Sequence, residues 1–281
     1  MQLTAEIALA HRLADAARTA IRPHYRTPMD AERKGDASPV TVADRAAEEA
    51  MRAILEAEFP EDGIHGEEFG VKEGTSGRQW VLDPIDGTCA FLAGRPIFAT
   101  LIALLVDGFP VIGVIDQPIN DERWLGVMGE QTTFNGKAIE TRRCRTLEDA
   151  AIGTTGPQYF SHEEGEIFMA LAAKTDHKRM IMGGDCYNYA ALASGFLDIV
   201  CEAGLKLHDF AALVPVVEGA GGLMCDWHGE PLHARSDGSV IALGDPARLE
   251  DVLVAMGASP DGLNPDDHHE HDHSGHEGHA H

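Results

Sequence analysis

The sequence predicts an α/β (α+β) fold, layered, with an antiparallel-rich N-terminal half and an α/β C-terminal half. Three observations predict it. The chain opens on amphipathic stretches whose apolar residues recur every three or four positions. Two apolar runs of strand length, "FATLIALLVDG" and "FPVIGVIDQP", meet at Asp107-Gly108, a hairpin signal. Past about residue 145, short strand-like runs alternate with helix-like ones, the pattern of an α/β layer.

Residues 3–25 read as the first helix, and the polar, Pro/Gly-marked segment 26–41 as a loop. Thr41 or Asp44 then caps a second helix over 43–59, which Pro60 ends. "RQWVLD" reads as a strand that stops at Pro84, because a residue before proline is pushed toward extended backbone. After the Asp107-Gly108 hairpin, "RWLGVMG" and "QTTFNGKAI" form a second one. In the second half "AAIGTT" is a strand, 162–174 a helix, "YNYAALASGF" a helix and "LDIVCEAG" a strand. "HDFAALVPVVEGAGG" reads as one helix that stops on its glycines. The chain divides into 1–145, 146–260 and a His/Asp/Glu-rich tail at 261–281. The last holds seven of the fifteen histidines, cannot bury a core and is expected to be disordered, either as a solvated appendage or as a metal scavenger.

Composition excludes several functions. The 281 residues carry 46 acidic and 22 basic side chains, a formal charge of −24. Such a chain repels nucleic acid and acidic membrane surfaces, so no nucleic-acid or membrane partner is expected. An anionic substrate would need local positive charge from bound cations, arginines or helix N-termini. The five scattered cysteines include no CxxC pair, which argues against a disulfide framework or a thiolate zinc site and for a reducing cytoplasm. No secretory h-region and no membrane-length apolar stretch is present.

The chemistry concentrates in "DPIDGT" (83–88). Asp83 and Asp86 are like charges three residues apart where a strand ends, and Pro84 fixes a bend that can turn both toward one point. A turn there also frees the Ile85 carbonyl. Two carboxylates and a carbonyl are the hard oxygen donors Mg²⁺ prefers. Gly87 lets backbone approach a ligand closely, and Thr88 is placed to cap the short helix "CAFLAG", whose free N–H groups suit an anion. The competing reading is a surface Asx turn. Upstream, Glu67 and Glu68 lie in the glycine-flanked loop "HGEEFG"; one of them can supply a third carboxylate, although a lone Glu is more often solvated. Downstream, Asp209 heads an apolar helix, where it can serve the site or merely offset the helix dipole.

"GEE", "WVLDPIDGT", "HDFAALVPVVEGAGG" and the loop "SPVTVAD", in this order and spacing, resemble the inositol monophosphatase family of Mg²⁺-dependent, lithium-sensitive phosphatases over roughly residues 5–255. "GRPIFATLIALLVDGFPVIGVIDQPINDERW" and "GGDCYNYAALASG" resemble most the bacterial histidinol-phosphate phosphatases. The resemblance implies an αβαβα sugar-phosphatase-type fold and hydrolysis of L-histidinol phosphate by an activated water without a covalent intermediate. Two or three Mg²⁺ ions per site are implied, with Mn²⁺ as a substitute, and a homodimer. Glu67, Asp83 and the Ile85 carbonyl would hold one ion; Asp83, Asp86 and Asp209 a second; Glu67 would assist a weaker third. Gly87 and Thr88 would take the phosphate, and Asp44 with Thr88 would activate the water, Glu67 assisting. Lys34 would ride on a loop over the metals. Asp185 and Glu202 would meet the leaving alcohol, where two acids suit the ammonium and imidazole of histidinol; a role toward a hydroxyl or a dimer interface is the alternative. His208 stands where most relatives carry an aromatic residue and is expected to pack beside the site, ahead of service as a fourth ligand. His11, His24, His65 and His162 are read as structural or solvated.

The rival substrates are inositol phosphates and other small sugar or nucleotide phosphates. A rival of another class is a non-catalytic metal-binding or storage protein, suggested by the tail and the net charge. A haloacid-dehalogenase-type phosphatase is disfavoured, because its DxDx[TV] signature spaces the acids by two and "DPIDGT" spaces them by three.

Overall fold

The structure is a computed structural model that describes residues 3–27, 32–33 and 39–257. Lys34 and the 261–281 tail lie outside the described residues.

The chain begins with α1 (Thr4–Ile21), whose buried residues, among them Leu9, Leu13, Ala17 and Ile21, recur at helical spacing. The short strands β1 (Glu32–Arg33) and β2 (Pro39–Val40) pair antiparallel, and α2 (Val42–Glu58) follows. Thr41 is the N-cap of α2. Its Oγ1 accepts the Ala43 N–H at 3.1 Å, while Asp44 accepts the Thr41 N–H at 2.8 Å, so both residues named from the sequence share one capping box.

Next come β3 (Gly63–Gly66), β4 (Gly70–Lys72), β5 (Arg78–Asp86), the short α3 (Thr88–Leu92), β6 (Ala99–Val106), β7 (Phe109–Gln117), β8 (Glu122–Val127), β9 (Thr133–Phe134) and β10 (Lys137–Ala138). They build one eight-stranded sheet in the order β10-β9-β8-β7-β6-β5-β3-β4. β6 and β7 are joined at Asp107 and Gly108, with φ 52° and 85°, the left-handed pair that a tight hairpin turn requires. Every pairing in this sheet is antiparallel except β3 with β5.

The second half supplies β11 (Ile152–Thr154), α4 (His162–Ala172), β12 (Ile181–Met182), α5 (Cys186–Ala193), β13 (Ile199–Glu202), α6 (Leu207–Phe210), α7 (Leu213–Gly219), β14 (Leu223–Cys225), β15 (Val240–Leu243) and α8 (Leu249–Ala255). Its five strands order as β12-β11-β13-β15-β14.

Three apolar clusters stack these elements into five αβαβα layers. One face of the large sheet (Trp80, Leu82, Ile102, Leu104) packs on α1 and α2. The alternate residues of the same strands (Val81, Leu101, Ala103, Leu105) pack on α5 and α7, whose other side meets the smaller sheet at Val200 and Ala242. The outer face of that sheet (Ile152, Ile199, Ile241) packs on α4 and α8. Strict period-two alternation between two buried faces explains why "TLIALLV" reads as continuously apolar.

Two sequence expectations need correction. β5 does not stop at Pro84 but runs on to Asp86 through an irregularity at the proline. The apolar stretch after His208 is two helices, not one, divided at Ala211-Ala212. Pro215 has no N–H to bond the Ala211 carbonyl, and its ring would crowd that group, so the proline is admitted only in the first turn of a fresh helix.

Candidate active site

The irregularity in β5 answers why two aspartates stand three apart. Asp83 pairs with Leu101 and Asp86 with Ala99, so three steps along β5 match two along β6. The extra residue is a β-bulge. It turns Asp86 onto the same side as Asp83, where an unbroken strand would have sent it to the opposite face. Pro84, which lacks a ladder donor, suits that position, and its carbonyl accepts the Thr100 hydroxyl at 2.8 Å.

Glu67 reaches the same point by topology. β3 runs parallel to β5 with Gly66 opposite Leu82, and the Glu67 N–H donates to the Leu82 carbonyl at 3.1 Å. Residues just past the carboxyl ends of neighbouring parallel strands share one edge. Asp209 arrives on α6, its carboxylate held by the Lys206 N–H at 2.6 Å. Asp86 is held by the Cys186 N–H, also at 2.6 Å, at the start of α5.

Carboxylate oxygens of Asp83, Asp86 and Asp209 lie within 4.8 Å of one another, and oxygens of Glu67 and Asp83 form a second such group with a ring nitrogen of His208. Asp83 belongs to both. Its side chain is buried, and Oδ1 has no hydrogen-bond partner among the described residues. Burial, then the negative charges of Glu67, Asp86 and Asp209, pushes the Asp83 carboxyl well above the usual range. Asp86 is raised well above it by burial and by Asp185 and Asp209, and Asp209 is raised mainly by burial. A cluster of ionised acids with an orphaned buried oxygen is costly unless cations meet it. Its donors are hard oxygens, so the residues present fit divalent metal ions.

The acids open onto a cavity of about 530 Å³ whose wall includes Glu67, Asp86, Thr88, Asp185, Glu202 and Asp209. Gly87 is the N-cap of α3, with φ 88°, and Thr88 is the first helical residue rather than the cap expected from the sequence. A left-handed cap accepts glycine far more readily than threonine. A Cβ at position 87 would lie 3.0 Å from an Asp185 carboxylate oxygen, so this glycine also makes room for Asp185. The Thr88 hydroxyl donates to the Ile85 carbonyl at 3.1 Å. Asp44 bonds Thr41 rather than Thr88; its Oδ1 is buried with no partner among the described residues, and its carboxyl is raised chiefly by burial.

Asp185 has φ 43° and ψ −135°, a strained backbone for a non-glycine residue, and burial raises its carboxyl to about 6. Glu202 is buried at the end of β13. It accepts the Thr155 N–H at 2.7 Å and the Tyr189 hydroxyl at 3.0 Å, yet burial still lifts it to about 7.

Sequence reasoning missed Glu48. Its fully buried carboxylate accepts the Glu68 N–H at 2.7 Å and the Phe69 N–H at 3.2 Å, which anchors the loop that carries Glu67. The one available signal was its place four residues after Asp44 on the buried side of α2. His208, expected to pack beside the site, stands within ligand reach of it. Of the remaining histidines, His65 packs its ring against His208 at 6.1 Å between centroids.

The sequence profile of the inositol monophosphatase family matches residues 2–256. The chain is 48% identical over 237 residues to a chloroplastic bifunctional phosphatase, IMPL2, of Arabidopsis thaliana, covering 84% of this chain and 68% of that one. It is 31% identical to a histidinol-phosphatase of Chlorobaculum parvum, over 91% of this chain and 98% of that one. Among solved structures, an inositol monophosphatase from Zymomonas mobilis superposes with a TM-score of 0.84 at 52% identity, over 92% of this chain and all of that one. Enzymes of this family use divalent metals, typically Mg²⁺, and act on small phosphate monoesters. The chain belongs to the inositol monophosphatase family of metal-dependent phosphoric monoester hydrolases.

Proposed function

We propose that the enzyme is a Mg²⁺-dependent phosphatase that hydrolyses L-histidinol phosphate to L-histidinol and inorganic phosphate. The observation that carries this reading is the pair of acids, Asp185 and Glu202, raised to about 6 and about 7 by burial on the cavity wall. Acids destabilised in this way gain most from a cationic partner, and histidinol brings an ammonium and an imidazole, whereas inositol brings hydroxyls alone. The 31% identical histidinol-phosphatase of C. parvum and the 36% identical one of Streptomyces coelicolor support the same reading.

In this reading Glu67, Asp83 and the Ile85 carbonyl hold one cation, Asp83, Asp86 and Asp209 hold a second, and Glu67 assists a third. Bound there, such ions supply Lewis acidity and a water acidic enough to attack at neutral pH, with Mn²⁺ able to replace Mg²⁺. Gly87 and Thr88 orient the phosphate with N–H groups that precede the first backbone bond of α3, from Phe91 to Gly87. Asp44, whose buried Oδ1 has no partner among the described residues, would take the proton of the attacking water through Thr88 once the Thr88 hydroxyl turns from the Ile85 carbonyl, and Glu67 would steady that water. Asp185 and Glu202 receive the leaving alcohol. The 1–145 half thus supplies the phosphate contacts and most of the metal ligands, and 146–260 supplies the specificity acids together with Asp209. A homodimer in a reducing cytoplasm completes the proposal, in keeping with five free cysteines. Among the described residues no helix is long and apolar enough to cross a membrane.

A second reading, hydrolysis of inositol 1-phosphate or another small sugar or nucleotide phosphate, is favoured by the 52% identity to the Z. mobilis inositol monophosphatase. Phosphate release from a panel of monoesters separates the two. The first reading expects kcat/KM for histidinol phosphate at least about tenfold above inositol 1-phosphate, the worth of one modest ion pair. Equal turnover would overturn the narrow substrate and leave the phosphatase standing.

A further inference from the structure

We propose that His208 is a nitrogen ligand of the cation held by Glu67 and Asp83, which makes one of the two metal positions a mixed nitrogen–oxygen site. The inference rests on the metal-dependent reading above and adds a donor to it. Three observations carry it. A ring nitrogen of His208 and carboxylate oxygens of Glu67 and Asp83 all lie within 4.8 Å of one another. His208 is 7% exposed, and its Nδ1 is buried without a hydrogen-bond partner among the described residues. Its Nε2 stands 3.6 Å from Asp209 Oδ1, longer than a hydrogen bond, so that contact does not satisfy the ring.

Buried imidazole nitrogens are ordinarily paired. Packing alone would be served by an apolar ring, which brings no polar atoms to satisfy. The neighbouring His65 ring, 6.1 Å away and tilted by 54°, packs on the imidazole without bonding it. The fold explains the placement. α6 is a single turn that presents His208 and Asp209 consecutively, so one residue can serve each metal group.

The consequence is chemical. Asp83, Asp86 and Asp209 offer only oxygens and suit Mg²⁺. The Glu67–Asp83–His208 group offers an imidazole as well, and imidazole shifts preference from Mg²⁺ toward first-row transition ions. The two positions are therefore unequal, and the enzyme is suited to a mixed metal complement.

The test is metal binding on the full chain, read without turnover. Co²⁺ and Mg²⁺ affinities are measured for the wild type, H208F, H208Q and D83N, together with the visible Co²⁺ spectrum. The part of each titration that D83N removes separates the two positions that share Asp83 from the tail histidines, and the His208 variants then distinguish one position from the other. H208F is expected to weaken the D83N-sensitive Co²⁺ binding at least about tenfold and to change its spectrum. Mg²⁺ affinity is expected to stay within about threefold, because water replaces imidazole at little cost to a hard ion. H208Q, with an amide oxygen in place of the ring, retains a polar side chain should H208F misfold, and is expected to lose Co²⁺ preference in the same direction. If both variants leave the Co²⁺ to Mg²⁺ ratio unchanged while D83N abolishes binding, the His208 assignment is overturned and the metal site stands. If D83N itself binds both ions normally, the metal site fails and takes the assignment with it.

Discussion

Gly113 lies directly opposite Gly126 across β7 and β8, and the backbone of the α6–α7 segment fills the space their side chains would take. A Cβ at 113 would stand 2.0 Å from the Ala212 carbonyl oxygen, and one at 126 would stand 2.2 Å from that of Pro215. This close approach sets the height of Asp209 above the sheet, because α6 ends only two residues before Ala212. Gly113→Ala is expected to cost about 1–3 kcal/mol through overpacking and to lower Mg²⁺ affinity by displacing Asp209. Urea unfolding with a Mg²⁺ titration checks both, and an unchanged protein would mean that the contact does not position the site.

Glu48 ties α2 to the loop of Glu67, and its partner Arg52 lies 2.7 Å away with little exposure. Glu48→Gln leaves that guanidinium without its counter-charge, which for a buried pair costs about 3 kcal/mol. The loop should loosen at the same time, so half-saturating Mg²⁺ is expected to rise several-fold. Thermal melts and metal titration of the variant measure the two effects. A stable variant with normal metal affinity would show the anchor to be dispensable.

Thr88→Ala removes the hydroxyl that donates to the Ile85 carbonyl. On the proposed relay from Asp44 it should slow turnover by about 10²-fold, within the range of proton-transfer catalysis, with Mg²⁺ dependence nearly unchanged. Single-turnover rates at saturating metal distinguish this from a defect in metal binding, which excess Mg²⁺ would restore.

Glu202 makes a prediction about pH. Its carboxyl rises from 4.5 to about 7, with burial the largest cause. Between those values the folded protein keeps a proton that the unfolded chain has lost. The stability Glu202 contributes is thus full below pH 4.5 and is lost as pH rises through about 7. A shift of that size corresponds to about 3 kcal/mol. The unfolding free energy of Glu202→Gln minus that of the wild type should therefore climb by up to about 3 kcal/mol between acid and mildly alkaline pH. Chemical denaturation in chelator across that range reads the difference, and two parallel curves would contradict the buried acid.

What the sequence disclosed followed from local rules. The strand-length apolar run around Leu101–Leu105, the Asp107-Gly108 turn and the helix start at Thr41 or Asp44 need only neighbours along the chain to be read. The acids of "DPIDGT" were legible for a similar reason, since like charges that close require an explanation. The bulge that aims them was not, because it is a relation between β5 and β6. Glu48 escaped because a buried carboxylate and a solvated one look alike in sequence, and its loop partners lie about twenty residues away. The parallel β3–β5 pair inside an otherwise antiparallel sheet escaped too, although it is what brings Glu67 to Asp83. The split between α6 and α7 could have been read from Pro215, had its missing N–H been weighed against the apolar run.

The metal-dependent mechanism turns on Asp83, the one residue common to both groups of potential metal ligands among the described residues. The most direct measurement is phosphate release from histidinol phosphate by the wild type and Asp83→Asn, each with Mg²⁺ and with excess chelator. Turnover by the wild type in Mg²⁺ is expected, with loss in chelator and recovery on adding the metal back. Asp83→Asn should fall by roughly 10³-fold, the several kcal/mol that metal-ion charge stabilisation supplies. Near-normal rates from Asp83→Asn, or wild-type turnover that chelator leaves untouched, would contradict it.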